Sequence, residues 1–258
     1  MDPRFFVRFS LQRMGGTLDD DDFNSKDMIK ISDEEIEKLT KEFHTKQQEI
    51  AQELACKYKE GIKKLEGKKV LFVGDSQTAD RMGYRGIVTK AAKLNSVNMS
   101  FSGSTSTDMY RFIYEKITVN KPELIFVMIG SNDAFAHSGK EKNRLVSSEE
   151  YRRNIFGILK NCVDSGTRTL VSTIPQFDRD SFLKTPDAAF KDNDDEAIAK
   201  YNQIVREAAA STGAELIDLE AVLKTMPKTG LYEPDGVHMS INGHKILADL
   251  WLDKAISE

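Results

Sequence analysis

Apolar positions along this chain follow two different rhythms. Ser32 and Glu35 form a capping box, and Ile36, Leu39, Phe43, Ile50, Leu54, Tyr58, Ile62 and Leu65 follow at intervals of three, four and seven. That spacing predicts one long amphipathic helix, with Gly61 as a break near its end. From Lys68 onward, short apolar runs alternate with helical stretches. Residues 69–73, 97–101, 124–129, 169–174 and 214–217 read as strands, and the third is apolar on both faces, as a central parallel strand requires. Helices are predicted over 79–94, from 147 or 148 to 164, over 195–211, and from near Ser240 through Trp251. The alternation predicts an α/β fold with a mostly parallel five-stranded sheet and helices on both of its faces.

The first sixty-odd residues read differently. Residues 1–30 carry the pair Gly15-Gly16 and the run Asp19-Asp20-Asp21-Asp22, and predict an extended or irregular arm. The acidic run lacks the alternating ligands and mid-loop glycine of an EF-hand, so it reads as a solvated loop. Two segments are therefore expected: 1–66, an arm and an amphipathic helix, and 67–258, the α/β domain. The stripe on the helix at 33–66 has three outlets: packing on the domain, self-association with a second copy, or docking on a partner.

Composition narrows the classes. The 258 residues are 40% hydrophobic and 30% charged, with a formal net charge of −4. Interleaved charges of both signs make no field for nucleic acid or an anionic membrane, and no apolar run is long enough to span a bilayer. Arg4, Arg8 and Arg13 interrupt the apolar residues at the start, which lacks the apolar core of a signal peptide. A cytoplasmic or assembly-associated protein is the expectation. Cys56 and Cys162 fall in predicted helices without a zinc or disulfide pattern, and read as free thiols in a reducing compartment. His44, His137 and His244 are scattered, with no metal-ligand spacing.

Four short stretches carry the chemistry. Gly74-Asp75-Ser76-Gln77-Thr78 follows the first strand, Ser102-Gly103-Ser104 the second, and Gly130-Ser131-Asn132-Asp133 the third. Pro234-Asp235-Gly236-Val237-His238 precedes the last helix. Ligands of parallel sheets bind at the carboxyl ends of strands, where the first three lie. Alone, each is also what a turn or helix cap contains. Together they supply a serine, a histidine with a carboxylate three residues before it, and donors for an oxyanion.

In this set and order the sequence resembles the SGNH (GDSL-type) hydrolase superfamily over about residues 68–257. The resemblance implies a flavodoxin-like three-layer α/β/α sandwich, with no metal and no organic cofactor. It makes Ser76 the nucleophile, His238 the general base and Asp235 the residue that orients His238. The Ser76 and Gly103 backbone N–H groups and the Asn132 side-chain amide become the oxyanion hole. Gln77 stands where the namesake motif has leucine, a departure that bears on subfamily rather than on catalysis. The G-x-S-x-G elbow of α/β-hydrolases is absent.

The activity implied is that of a serine esterase on a small-molecule or carbohydrate ester. The short ending Asp235-Gly236-Val237-His238-Met239-Ser240 resembles members that remove short acyl groups, often O-acetyl groups of carbohydrate. Loops 134–147 and 176–194, the second with Phe177, Phe182 and Phe190, are expected to set substrate choice. Other readings stay open at this point: an O-acyltransferase, a lysophospholipase or thioesterase, or an adaptor component of a larger assembly such as a phage particle.

Overall fold

The structure is a computed structural model that describes Arg4, Arg8 and residues 32–136, 143–182 and 195–257. His137, Phe190 and the acidic run at 19–22 lie outside the described residues.

Five strands form one sheet: β1 (Lys69–Gly74), β2 (Asn95–Ser100), β3 (Leu124–Met128), β4 (Arg168–Ser172) and β5 (Glu215–Ile217). Their order is β2-β1-β3-β4-β5 and every pairing is parallel, a stricter outcome than the mostly parallel sheet expected. β1 and β3 are buried almost end to end, so both faces must be covered.

Helices cover them. On one face lie α1 (Asp33–Lys57), the one-turn α2 (Ser76–Ala79), α3 (Tyr84–Ala91) and, after the last strand, α9 (Ile241–Ile256). On the other lie α4 (Ser106–Asn120), α5 (Ser148–Asp164) and α7 (Asp195–Thr212), with the short α6 (Arg179–Phe182) and α8 (Leu219–Lys224) in the connections. Phe72 and Phe126 from the central strands meet Tyr84 of α3 in edge-on contacts at 6.3 and 5.4 Å, and Phe72 meets Trp251 of α9 at 5.8 Å. All four rings are fully buried, and burial of such side chains is the main source of stability. The opposite layer is pinned by Tyr151 of α5, whose hydroxyl donates to the Ile129 carbonyl at 2.8 Å.

α1 opens at the predicted cap, with Ser32 Oγ accepting from Glu35 N at 3.2 Å. The helix ends at Lys57, short of the predicted reach to Leu65, and the chain continues as a 3-10 turn over Gly61–Lys64. Gly61 lies against α9 so closely that a Cβ there would come within 2.6 Å of Ile256 Cδ1. The stripe Leu39, Phe43, Ala51 and Leu54 is buried, with α1 packed on α3. Buried Gln47 lies in the same face and its amide donates to the carbonyls of Arg81 and Gly83.

Two further elements differ from the pattern-based reading. The helix predicted over 79–94 is shorter, α3 at Tyr84–Ala91, with Ala79 ending the separate turn α2, because Asp80 turns the chain: its Oδ1 accepts from Met82 N at 2.8 Å and Gly83 caps the next helix. The sequence reading assigns no element between 101 and 124, where α4 lies. Its buried positions Met109, Ile113 and Ile117 share the helix with exposed Tyr110, Phe112, Tyr114 and Val119, which blur the stripe.

Candidate active site

The strand order reverses direction between β1 and β3, and crevices at such a switch point are where parallel sheets bind ligands. β1 ends at Gly74, where a side chain would be impossible: a Cβ would sit 2.5 Å from the Met128 carbonyl oxygen of β3. Asp75 then caps α2, its Oδ1 accepting from Gln77 N at 3.0 Å. Ser76 is thereby placed in the first turn of α2, where an N–H has no carbonyl within the helix to bond.

The loop before α9 brings up the other half. His238 Nε2 lies 2.8 Å from Ser76 Oγ, and His238 Nδ1 lies 2.6 Å from Asp235 Oδ2. Asp235 Oδ1 also accepts from the backbone N–H groups of Val237 and His238 at 2.8 and 3.0 Å. Burial works to raise the Asp235 carboxyl, but its hydrogen bonds and charge attraction with His238 outweigh that and hold it below its ordinary value. An ionised Asp235 holding Nδ1–H leaves Nε2 free to accept the serine proton. The structure thus joins Ser76, His238 and Asp235 in one chain of hydrogen bonds.

The remaining predicted residues, Gly103 and Asn132, follow the carboxyl ends of β2 and β3, the strands that flank β1. Gly103 is exposed and has φ 81°, a left-handed conformation that favours glycine. Asn132 Nδ2 donates one hydrogen to the Ser104 carbonyl at 2.8 Å, which fixes the amide and leaves its second hydrogen unused by that bond. Ser104 is fixed in turn, its hydroxyl donating to Gly74 O at 3.0 Å and Phe101 O at 2.8 Å.

Beneath Asn132, the buried Asp133 accepts from Ser106 N at 3.0 Å and from the Ser106 hydroxyl. Burial pushes the Asp133 carboxyl up to about 7 despite these donors, and pushes the fully buried Asp75 up to about 6.

Sequence reasoning missed three contributors. Gln77, noted only as a departure from the motif, is buried and grips the backbone on both sides of His238: Nε2 donates to Val237 O at 2.9 Å and Oε1 accepts from Met239 N at 3.1 Å. Asp80, also buried, accepts from His244 Nε2 at 2.9 Å, so His244 is a structural residue of α9 facing the nucleophile's turn. Arg8, read only as an interruption of the apolar start, binds Asp80. A polar residue just after the nucleophile's turn and a histidine in the last helix are the signal for Asp80, whereas Gln77 binds only backbone groups and leaves none.

Cys56 is exposed and Cys162 buried, both free, and burial pushes the Cys162 thiol up to about 12. Among the described residues no group of three or more His, Cys, Asp or Glu could hold a metal ion. No described helix is long and apolar enough to cross a membrane.

The GDSL-like lipase/acylhydrolase family profile matches residues 72–246. An acetylxylan esterase from Geobacillus stearothermophilus is 28% identical over 218 residues, covering 72% of this chain and 93% of that protein. The crystal structure of an acetylxylan esterase from the same organism superposes with a TM-score of 0.59 at 26% identity, over 76% of this chain and 97% of that one. A lipase/acylhydrolase from Enterococcus faecalis shares the fold, with a TM-score of 0.59 at 19% identity over 73% of this chain and 95% of its own.

Proposed function

The chain belongs to the GDSL-like lipase/acylhydrolase family and is an SGNH-type carboxylic ester hydrolase, and from that premise we propose that Ser76, His238 and Asp235 are its catalytic triad and that it removes short acyl groups, O-acetyl groups of carbohydrate above all. The observation that carries the triad is the continuous hydrogen-bond chain from Asp235 through His238 to Ser76 Oγ. What favours acetyl groups on carbohydrate is the likeness to an acetylxylan esterase over nearly all of that protein's length.

The mechanism follows from the positions of the atoms. Ser76 Oγ attacks the ester carbonyl carbon as its proton passes to His238 Nε2. Asp235 keeps Nδ1–H in place and stabilises the imidazolium that forms. The oxyanion receives the Ser76 and Gly103 N–H groups and the second Asn132 amide hydrogen. As the tetrahedral centre collapses, the C–O bond to the alcohol breaks and the alcohol leaves with the proton from His238. A water then gives its proton to His238 and attacks the acyl carbon, and the carboxylic acid departs as Ser76 regains its hydrogen.

The test is turnover of p-nitrophenyl acetate, butyrate and octanoate, and acetate release from acetylated xylooligosaccharides. Ser76→Ala is expected to lower kcat by on the order of 10⁴ or more, and Asn132→Ala by about 10²–10³ with the fold intact. Acetate should be the best acyl group. No turnover above the Ser76→Ala background on any ester would sink the esterase mechanism, and preference for octanoate would sink the acetyl assignment.

A further inference from the structure

One side chain from the far N-terminal side of the chain reaches the catalytic loops. Arg8 lies 72 residues before Asp80 and 231 before Met239, yet its side chain is 4% exposed and in contact with both. Its Nε donates to Asp80 Oδ1 at 3.1 Å and its Nη2 to Asp80 Oδ2 at 2.5 Å, the two-pronged geometry that arginine alone provides. Nη2 also donates to the Met239 carbonyl at 3.1 Å, and Nη1 lies 2.5 Å from Glu233 Oε1.

Each partner is one step from a triad residue. Asp80 closes the turn that holds the nucleophile, its N–H donating to the Ser76 carbonyl at 2.9 Å. Met239 follows His238 directly. Glu233 N–H donates to the His238 carbonyl at 2.8 Å. The guanidinium therefore bridges the turn carrying Ser76 and the loop carrying His238.

Charge makes the bridge costly to remove. The Asp80 side chain is completely buried, and its other side-chain partner with an ionisable group, His244, is itself fully buried, which disfavours the imidazolium. Among the described residues Arg8 is the permanent cation hydrogen-bonded to Asp80, with Arg85 acting on it only through space, and a buried carboxylate that loses its bonded cation strains the structure around it. The nearest structure to be strained is the turn under Ser76.

We infer that Arg8 is a positioning residue of the active site: the N-terminal segment completes the catalytic geometry by locking the Ser76 turn to the His238 loop through Asp80, Met239 and Glu233. This rests on the esterase mechanism proposed above for its effect on turnover, but not for its effect on the loop. Hydrogen isotope exchange of the full-length protein, read over 76–80 and 233–239, and steady-state kinetics on p-nitrophenyl acetate are compared for wild type, Arg8→Ala, Arg8→Lys and, as a surface control, Arg4→Ala, whose exposed guanidinium pairs with Glu42.

Arg8→Ala is expected to exchange faster in both segments and to lose at least about tenfold in kcat with KM nearly unchanged. Methylguanidinium, well below denaturing concentration, should restore part of that kcat, where tetramethylammonium at equal ionic strength should not. Arg8→Lys, which keeps a charge to balance Asp80 but loses the fork, should fold and fall between wild type and alanine. Arg4→Ala should match wild type. Unchanged exchange over 233–239 in the folded variants overturns the inference, as does a kcat loss that methylguanidinium leaves untouched. An inactive wild type would count against the esterase mechanism, while the exchange data would still decide the role of Arg8.

Discussion

Gln77 shows how a single side chain can stand in for a strand. Its amide donates to Val237 O and accepts from Met239 N, so the backbone on either side of His238 is held as a neighbouring strand would hold it. Both backbone groups are buried, and a buried amide without a partner costs about 1–3 kcal/mol. Gln77→Leu restores the residue of the namesake motif but removes both bonds. We expect it to destabilise the protein by about 2 kcal/mol in urea unfolding and to lower kcat more than it raises KM. A leucine variant with wild-type kcat would mean that the loop before α9 holds His238 unaided. The polar residue beside the nucleophile is thus legible as a departure in the sequence, while its purpose depends on a contact 160 residues away that no local pattern encodes.

α1 poses the corresponding question for an element. Its stripe is turned inward: Phe43 is 1% exposed against the domain, Gln47 holds the carbonyls of the turn after Asp80, and Lys57 and Glu53 make ion pairs with Asp249 and Lys245 of α9. Removing a buried phenylalanine costs about 3–5 kcal/mol. We expect Phe43→Ala to shift the single unfolding transition of the whole chain by about that amount, measured by circular dichroism and tryptophan fluorescence together. Trp251 reports on α9, so a fluorescence transition unmoved by the substitution would show α1 to be a separate appendage. Which elements the sequence reveals follows the same logic of burial. β1 and β3 read as near-continuous apolar runs because helices cover both their faces, and α5 and α9 carry serine caps that mark their starts. α4 escaped because its exposed aromatic and aliphatic residues erase the contrast on which a helical stripe depends, and the break between α2 and α3 escaped because a local side-chain bond of Asp80 makes it without interrupting the apolar spacing.

Over the whole molecule, buried carboxyls pull stability in opposite directions with pH. Burial penalises the charged form of Asp80, but Arg8 and His244 overcome it and hold the carboxyl well below its ordinary range. Its contribution is present above the unfolded value of 3.8 and is lost as pH falls through the folded one. Asp133 has the opposite sign. Its carboxyl is raised from 3.8 to about 7, so its contribution is fully present below 3.8 and is lost as pH rises to about 7. Asp75, raised to about 6, adds to the same decline. Asparagine at 133 keeps an oxygen for the Ser106 N–H and hydroxyl but has no proton to lose. The Tm of Asp133→Asn relative to wild type should therefore climb steadily between pH 4 and about pH 7 and then level off. Scanning calorimetry in matched buffers measures that difference directly, and because both proteins share every other titrating group, a difference that stays constant with pH would mean that Asp133 is ionised throughout the range and that its bonds with Ser106 outweigh burial.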